Sequence, residues 1–370
     1  MRKLKIVAYT LLGITSLLVA SGVGVDYYIK SADPMNKDRI KSSAQFDGES
    51  FVNPSEQSAA GISTIPSIIK QSIFDKQQPS KPEKAIPVIQ ITKDLLDNLS
   101  KDETYFFKLG HSSILLWIDG NFWLIDPVFG ERASPFSFVG PKRYHQPPID
   151  IASLPNIKGI IFTHNHYDHL DIESIKQLHP KTEAFYMPLG IGADLLKWGV
   201  AKEKINEFDW HESIKVGNLS LTATPAQHFS GRGLSDRNKS LWSSWVVKSD
   251  KHNLFFNGDS GYFDGFKKIG EKYGPFDISF MENGAYNILW PDVHMMPKET
   301  VQALEDLDGG ILVPIHNSTF DLSIHTWYEP IEQVLKHAEQ KNIKVIIPKM
   351  GEAINIDSPP KLDNWWKELI

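Results

Sequence analysis

Four side chains able to bind metal fall within six consecutive positions in His164-Asn165-His166-Tyr167-Asp168-His169. The hydrophobic stretch Ile157–Thr163 leads directly into them and reads as a buried strand. In an extended segment residues i and i+2 point the same way, so His164 and His166 can grip one ion between them. Asp168 and His169 follow after the chain turns and are free to face a second ion beside the first. Asp171 stands where it can cap a helix beginning at Ile172. Neighbouring polar side chains at the end of a buried strand need partners, because burying an unpaired polar group is costly.

Two ions need further ligands, and the sequence supplies polar residues placed just past hydrophobic runs. His228 follows Leu219–Pro225, Asp259 follows Leu254–Asn257 with Gly258 and Gly261 beside it, and His316 follows Ile311–Ile315. The set then closes with His164, His166 and His228 on one metal, Asp168, His169 and His316 on the other, and Asp259 bridging. The chain contains no cysteine, which excludes a disulfide framework, a thiolate site and a cysteine nucleophile together. Imidazole and carboxylate donors suit two zinc ions, with iron or manganese as alternatives. Such a pair, about 3.5–4 Å apart, would acidify a shared water and clamp charge on an attacked phosphorus or carbonyl. Asp168 would orient that water, and no serine nucleophile is needed.

Short hydrophobic or alternating runs after Thr104 supply the scaffold. Strands are expected at Tyr105–Leu109, Ser113–Ile118, Phe122–Ile125, Ile157–Thr163, Leu219–Pro225, Ser243–Lys248 and Leu254–Asn257, then at Ile278–Met281, Ile311–Pro314, Val345–Pro348 and Ala353–Ile356. Helices are expected at Ile172–Leu178, Ala193–Trp198, Phe263–Tyr273, Pro297–Leu307 and Pro330–Lys341, the last two opening on a proline where a helix tolerates it. Strand runs feeding isolated helices imply an α/β sandwich with helices outside.

Lys and Arg total 39 against 45 Asp and Glu, a net charge of -6, so no basic field exists to hold a nucleic-acid backbone. Arg2, Lys3 and Lys5 precede an uncharged run from Ile6 to Val25, long enough for a bilayer-spanning segment of about 20 residues. It reads as a signal or an uncleaved anchor over residues 1–30, leaving the remainder exported, either membrane-anchored and extracytoplasmic or secreted. Residues 31–103 are rich in Ser, Gln, Lys, Asp and Pro and read as a polar extension or linker, in which Phe46–Pro54 is a candidate for docking on the main domain. The main domain then spans 104–370.

The His-x-His-x-Asp-His run, followed by His228, Asp259 and His316 in that order, resembles the metallo-β-lactamase superfamily. The narrower likeness is to the branch of N-acyl-phosphatidylethanolamine-hydrolysing phospholipase D. It is carried by Leu109-Gly110-His111-Ser112-Ser113, Asp126-Pro127-Val128-Phe129, Gly140-Pro141-Lys142-Arg143-Tyr144, Pro225-Ala226-Gln227-His228, Leu241-Trp242-Ser243-Ser244-Trp245 and Gly258-Asp259-Ser260-Gly261-Tyr262. The resemblance implies an αββα fold and hydrolysis by a hydroxide held between the metals. It also implies that His294 faces the substrate without binding metal. Met296, Asn317-Ser318 and the segment Glu282–Tyr286 depart from the branch pattern, and all of them bear on the substrate rather than the metals. The implied partner is a phospholipid at the membrane, with a soluble ester, lactone or β-lactam as the alternative. His111 either lines the site or supports it and stays outside the ligand set. His145, His179, His211, His252, His325 and His337 read as solvated, while Trp242, Trp245, Trp290 and Phe229 are candidates for a lipid-facing wall or for core.

Overall fold

A computed structural model of the chain describes residues 26, 29–55, 67, 70 and 74–370. The apolar run Ile6–Val25 lies outside the described residues, and among those described no helix is long and apolar enough to cross a membrane.

The described strands form two sheets. The first contains β1 (Tyr105–Gly110), β2 (Ser113–Ile118), β3 (Asn121–Ile125), β4 (Ile157–Ile161), β5 (Thr182–Pro188), β6 (Ile205–Phe208) and β13 (Ile354–Asn355), in the order β13-β1-β2-β3-β4-β5-β6. The second contains β7 (Ser213–Val216), β8 (Leu219–Thr224), β9 (Ser244–Lys248), β10 (Asn253–Phe256), β11 (Ile278–Glu282) and β12 (Ile311–Ile315), in the order β12-β11-β10-β9-β8-β7. The helices are α1 (Lys37–Ser42), α2 (Lys93–Asp97), α3 (Ile172–Leu178), α4 (Gly192–Lys197), α5 (Gly265–Tyr273), α6 (Pro297–Leu307) and α7 (Glu329–Gln340).

The sheets face each other across a core that includes Phe106, Trp123, Trp245, Phe256 and Phe280, with the last two rings stacked at 4.5 Å. A second cluster covers the outer face of the first sheet and includes Ile175 and Leu178 of α3 and Leu195 of α4. A third covers the second sheet with Phe266, Leu304 and Val334 from α5, α6 and α7. Both faces of each sheet are thus buried, which explains why the central strands are hydrophobic along their length rather than alternating.

Thr182–Pro188, Ile205–Phe208 and Ser213–Val216 are strands that the sequence patterns did not mark, because polar residues interrupt them and the last is a short edge strand. Val345–Pro348 forms only an isolated bridge, from Val345 to Leu312.

Ile40 and Phe51 pack with Leu189, Trp210, Leu241 and Trp242, while Ile91 and Leu96 join the cluster beneath the first sheet. Asn53 hydrogen-bonds the backbone of His228 in both directions, accepting from its N–H at 2.9 Å and donating to its carbonyl at 2.7 Å. Residues 37–55 therefore brace a candidate ligand loop. Phe51 is fully buried, so Phe51→Ala should lower stability by about 3–5 kcal/mol, read from urea midpoints. A loss below about 1 kcal/mol would mean that this stretch contributes little to the fold.

Candidate metal centre

β10, β11 and β12 are mutually parallel, and β8 shares their direction because β9 is antiparallel to both β8 and β10. In the first sheet β3 and β4 are parallel, and β1 shares their direction because it is antiparallel to β2, itself antiparallel to β3. The carboxyl ends of these strands carry His111, Asp126, His164, His228, Asp259, Glu282 and His316 to one end of the sandwich, where open α/β sheets generally place their ligands. Gly258 lets two of these loops touch: its φ is +63°, and a Cβ there would lie 2.6 Å from Cβ of Thr163. At Gly284 a Cβ would lie 2.0 Å from the carbonyl oxygen of His316. His111, Asp126 and His316 themselves adopt positive φ of 53°, 43° and 63°.

His164, His166, His228 and Asp259 form one group whose donor atoms lie within 4.8 Å of one another. Nδ1 of His166 is 2.9 Å from Nε2 of His164 and 3.2 Å from Nε2 of His228, and each of those Nε2 atoms is 3.7 Å from Oδ2 of Asp259. Donors about 2.0–2.1 Å from a tetrahedral zinc would be separated by about 3.3 Å, so this spacing fits an ion. His228 donates Nδ1–H to the carbonyl of Val293 at 2.9 Å, which leaves its Nε2 lone pair facing inward.

His111, Asp168, His169 and His316 form a second group with the same tightness. Asp259 reaches into it as well: Oδ1 is 3.1 Å from Nε2 of His169 and Oδ2 is 3.0 Å from Nε2 of His316. Oδ2 of Asp168 is 3.3 Å from that same His316 nitrogen. Nε2 of His169, Nε2 of His316 and Oδ1 of Asp259 are buried and face one another without a well-formed hydrogen bond, as donors gathered around a cation would be. The donors in both groups therefore fit metal ions.

Asp126 supports both groups from behind. It accepts Nδ1–H of His169 at 2.8 Å and the Thr163 hydroxyl at 2.6 Å, and that hydroxyl in turn accepts Nδ1–H of His164 at 3.0 Å. Glu282 does the same for His294, accepting its Nδ1–H at 3.2 Å and the Met295 N–H at 3.0 Å. His111 donates Nε2–H to Oδ2 of Asp168 at 3.0 Å, and its carbonyl accepts the His316 N–H at 3.2 Å. Lys108 reaches Pro314 and Asn317 on either side of His316, and burial pulls its pKa down to about 7.

Burial holds His164 and His228 well below the ordinary histidine range and His166 down at about 4, so all three present neutral imidazoles near neutral pH. Burial also opposes charge on the other members, but their mutual attraction outweighs it. Asp259, Asp126 and Asp168 hold His169 well above its usual range, and Asp259 and Asp168 raise His316 to about 10. His169 together with His316 keeps the Asp259 carboxyl well below its usual value, and His169 with His111 does so for Asp168. The centre is a place that requires positive charge.

All seven sequence-predicted ligands, His164, His166, Asp168, His169, His228, Asp259 and His316, converge here, and His294 packs against His228 and His316 with ring centroids 5.2 and 5.1 Å away. The sequence patterns missed Asp126, Glu282 and Lys108 and left His111 undecided. Asp-Pro after the strand at Phe122–Ile125 was the one available signal for Asp126. Trp242 and Trp245 are core, with their indole N–H groups donated to Ala226 and Phe162 carbonyls, so neither belongs to a lipid-facing wall. His145 and His252 are buried and hydrogen-bonded, not solvated.

An αββα sandwich with two histidine and aspartate clusters at one end defines a metal-binding α/β protein of a recognisable class. Residues 121–317 match the family model described as the beta-lactamase superfamily domain, and the chain belongs to the metallo-β-lactamase superfamily. It is a metal-dependent hydrolase of that superfamily. It is 45% identical to an uncharacterized protein of Mycobacterium tuberculosis over 70% of each chain. It is 31% identical to N-acyl-phosphatidylethanolamine-hydrolyzing phospholipase D 1 of Caenorhabditis elegans, over 87% of this chain and 97% of that one. The crystal structure of isothiocyanate hydrolase from Delia radicum gut bacteria aligns with a TM-score of 0.55 and 20% identity over 68% of this chain and 98% of the other, a likeness of fold alone.

Asp126→Asn preserves shape but removes the charge that His169 leans on. Metal affinity should fall about 10–100-fold in a chelator competition on folded protein. Unchanged affinity would remove Asp126 from the support of the centre.

Proposed function

We propose that the protein is a two-zinc phosphodiesterase of phospholipase D type that cleaves N-acyl-phosphatidylethanolamine or a related phospholipid. The observation that carries this reading is Asp259, which touches both ligand groups at once, in a chain 31% identical to a phospholipase D of that specificity over nearly that enzyme's whole length. His164, His166 and His228 would hold one ion, Asp168, His169 and His316 the other, with Asp259 between them. When bound, the metal pair supplies an acidified water and a clamp for charge developing on the attacked phosphorus.

The chain's own groups do the remaining work. Asp168 is the ligand carboxylate most open to solvent, at 15% side-chain exposure, and His111 fixes its Oδ2, so it is placed to orient the attacking water. Glu282 holds Nδ1 of His294, which leaves Nε2 for the phosphate or the leaving group. Water adds to phosphorus as the bond to the head-group oxygen breaks, giving phosphatidate and an N-acylethanolamine. The run Ile6–Val25 would tether this domain outside the cytoplasmic membrane, beside its substrate.

Zinc-loaded protein offered vesicles containing N-acyl-phosphatidylethanolamine should release phosphatidate, identified by mass spectrometry. His294→Ala should lower kcat roughly 100-fold or more with metal content unchanged. A wild-type protein that opens lactones readily and leaves every phospholipid intact would move the assignment to a soluble ester or lactone.

A further inference from the structure

Four described large hydrophobic side chains are at least three-quarters exposed, and three of them leave the metal-bearing end of the sandwich: Phe138 at 79%, Leu234 at 82% and Ile288 at 75%, on loops that follow β3, β8 and β11. Large apolar side chains left exposed on loops at one end of a protein are a reason to ask what surface they meet. The Phe138 loop is also built to hold its tip out. Arg132 threads it, donating Nε–H to the Ser137 carbonyl at 3.0 Å and Nη1–H to that of Gly140 at 2.6 Å, while Ala133 N–H bonds the Pro141 carbonyl at 3.1 Å. Phe136 and Phe138 pack ring to ring at 5.4 Å, and Val139 beside them is half exposed.

Residues that follow the apolar run arrive at this same face. Asp26 accepts the N–H groups of Leu234 and Ser235, so the chain emerging from Ile6–Val25 meets the Leu234 loop. Onward from there, Ile29–Asp33 line a cleft of about 930 Å³ together with Arg132 and Phe136 of the Phe138 loop. Tyr167 and Asp171 of the metal loop line it as well, and Tyr167 donates its hydroxyl hydrogen to the carbonyls of Ile29 or Arg232. Ser31 is bonded by Asn165 of the same loop at 3.0 Å.

We propose that this end of the molecule is a bilayer-docking surface, on which Phe138, Val139 and Leu234 enter the interfacial layer of the membrane and turn the metal centre toward it. The commitment to a lipid surface comes from the position of Asp26, the residue after the apolar run, which is bonded to Leu234: a bilayer that took up residues 6–25 would begin near that loop. Aromatic and aliphatic residues on a rigid loop suit that layer, where one side of the loop is apolar and the other wet. The proposal and its quenching test rest on the membrane placement given above; its turnover test rests on the phospholipid reading as well.

The absence of cysteine makes a direct test simple. Full-length protein carrying Phe138→Cys, Leu234→Cys or Asp102→Cys is labelled with an environment-sensitive fluorophore and reconstituted into phosphatidylethanolamine and phosphatidylglycerol vesicles containing brominated lipid. Asp102 is 96% exposed and precedes β1, at the opposite end of the sandwich. Labels at 138 and 234 should shift to the blue and be quenched, and the label at 102 should do neither. A vesicle-bound chain with 138 and 234 unquenched, or with 102 quenched equally, overturns the docking surface while leaving the membrane placement intact. A chain that does not associate with vesicles overturns both. The double variant Phe138→Ser with Leu234→Ser should lose roughly tenfold or more in turnover on vesicles and keep its turnover on a soluble phosphodiester; equal effects on both substrates would contradict the proposal.

Discussion

The structure depends on one carboxylate with two sets of neighbours. Asp259 faces His164 and His228 on one side and His169 and His316 on the other, in a space that water hardly reaches. Such a group is stable only if positive charge is supplied to both sides, because desolvating an unpaired carboxylate costs several kcal/mol or more. On one side its charge, with that of Asp168, pulls the pKa of His169 and His316 upward, the mark of a place short of positive charge. On the other, His164, His166 and His228 are held neutral by burial and offer lone pairs instead. A pair of cations answers both sides, and neither side alone accounts for the whole donor set.

The sandwich exists to keep that arrangement in register. Packing of Trp123, Trp245, Phe256 and Phe280 between the sheets fixes β3, β9, β10 and β11 relative to one another, and Asp126, Asp259 and Glu282 lie at or within a few residues of the carboxyl ends of β3, β10 and β11. Each loop is then fastened from outside the donor set: His228 through Val293 and Asn53, His169 through Asp126, His316 through the backbone of His111. His166, Asp168 and His294 stay partly exposed, so the centre opens on the side where these three lie. Rigid support behind and access in front are what metal-assisted hydrolysis requires.

The candidate site was legible in the sequence because its chemistry is written locally. A strand followed by His-x-His-x-Asp-His has few other uses, and His228, Asp259 and His316 each stand just past a hydrophobic run. The α/β architecture was legible for the same reason, since β2, α3 and α6 coincide with their expected bounds. The supporting residues were not, because nothing local distinguishes them. Asp126 matters through His169, Glu282 through His294, and Lys108 through Asn317, all partners brought close only by the fold. Trp242 and Trp245 show the converse. Aromatic residues beside a ligand loop are compatible with a wall or with core, and only packing decided for core. β5, β6 and β7 escaped because polar residues broke their runs.

The central claim, two ions sharing Asp259, is tested most directly by anomalous diffraction at the zinc edge from crystals of protein purified without chelator. Two peaks about 3.5–4 Å apart are expected, one among His164, His166 and His228, the other among Asp168, His169 and His316, with the Asp259 carboxylate between them. A single peak at full occupancy, or two peaks with Asp259 bound to neither or to only one, would contradict it.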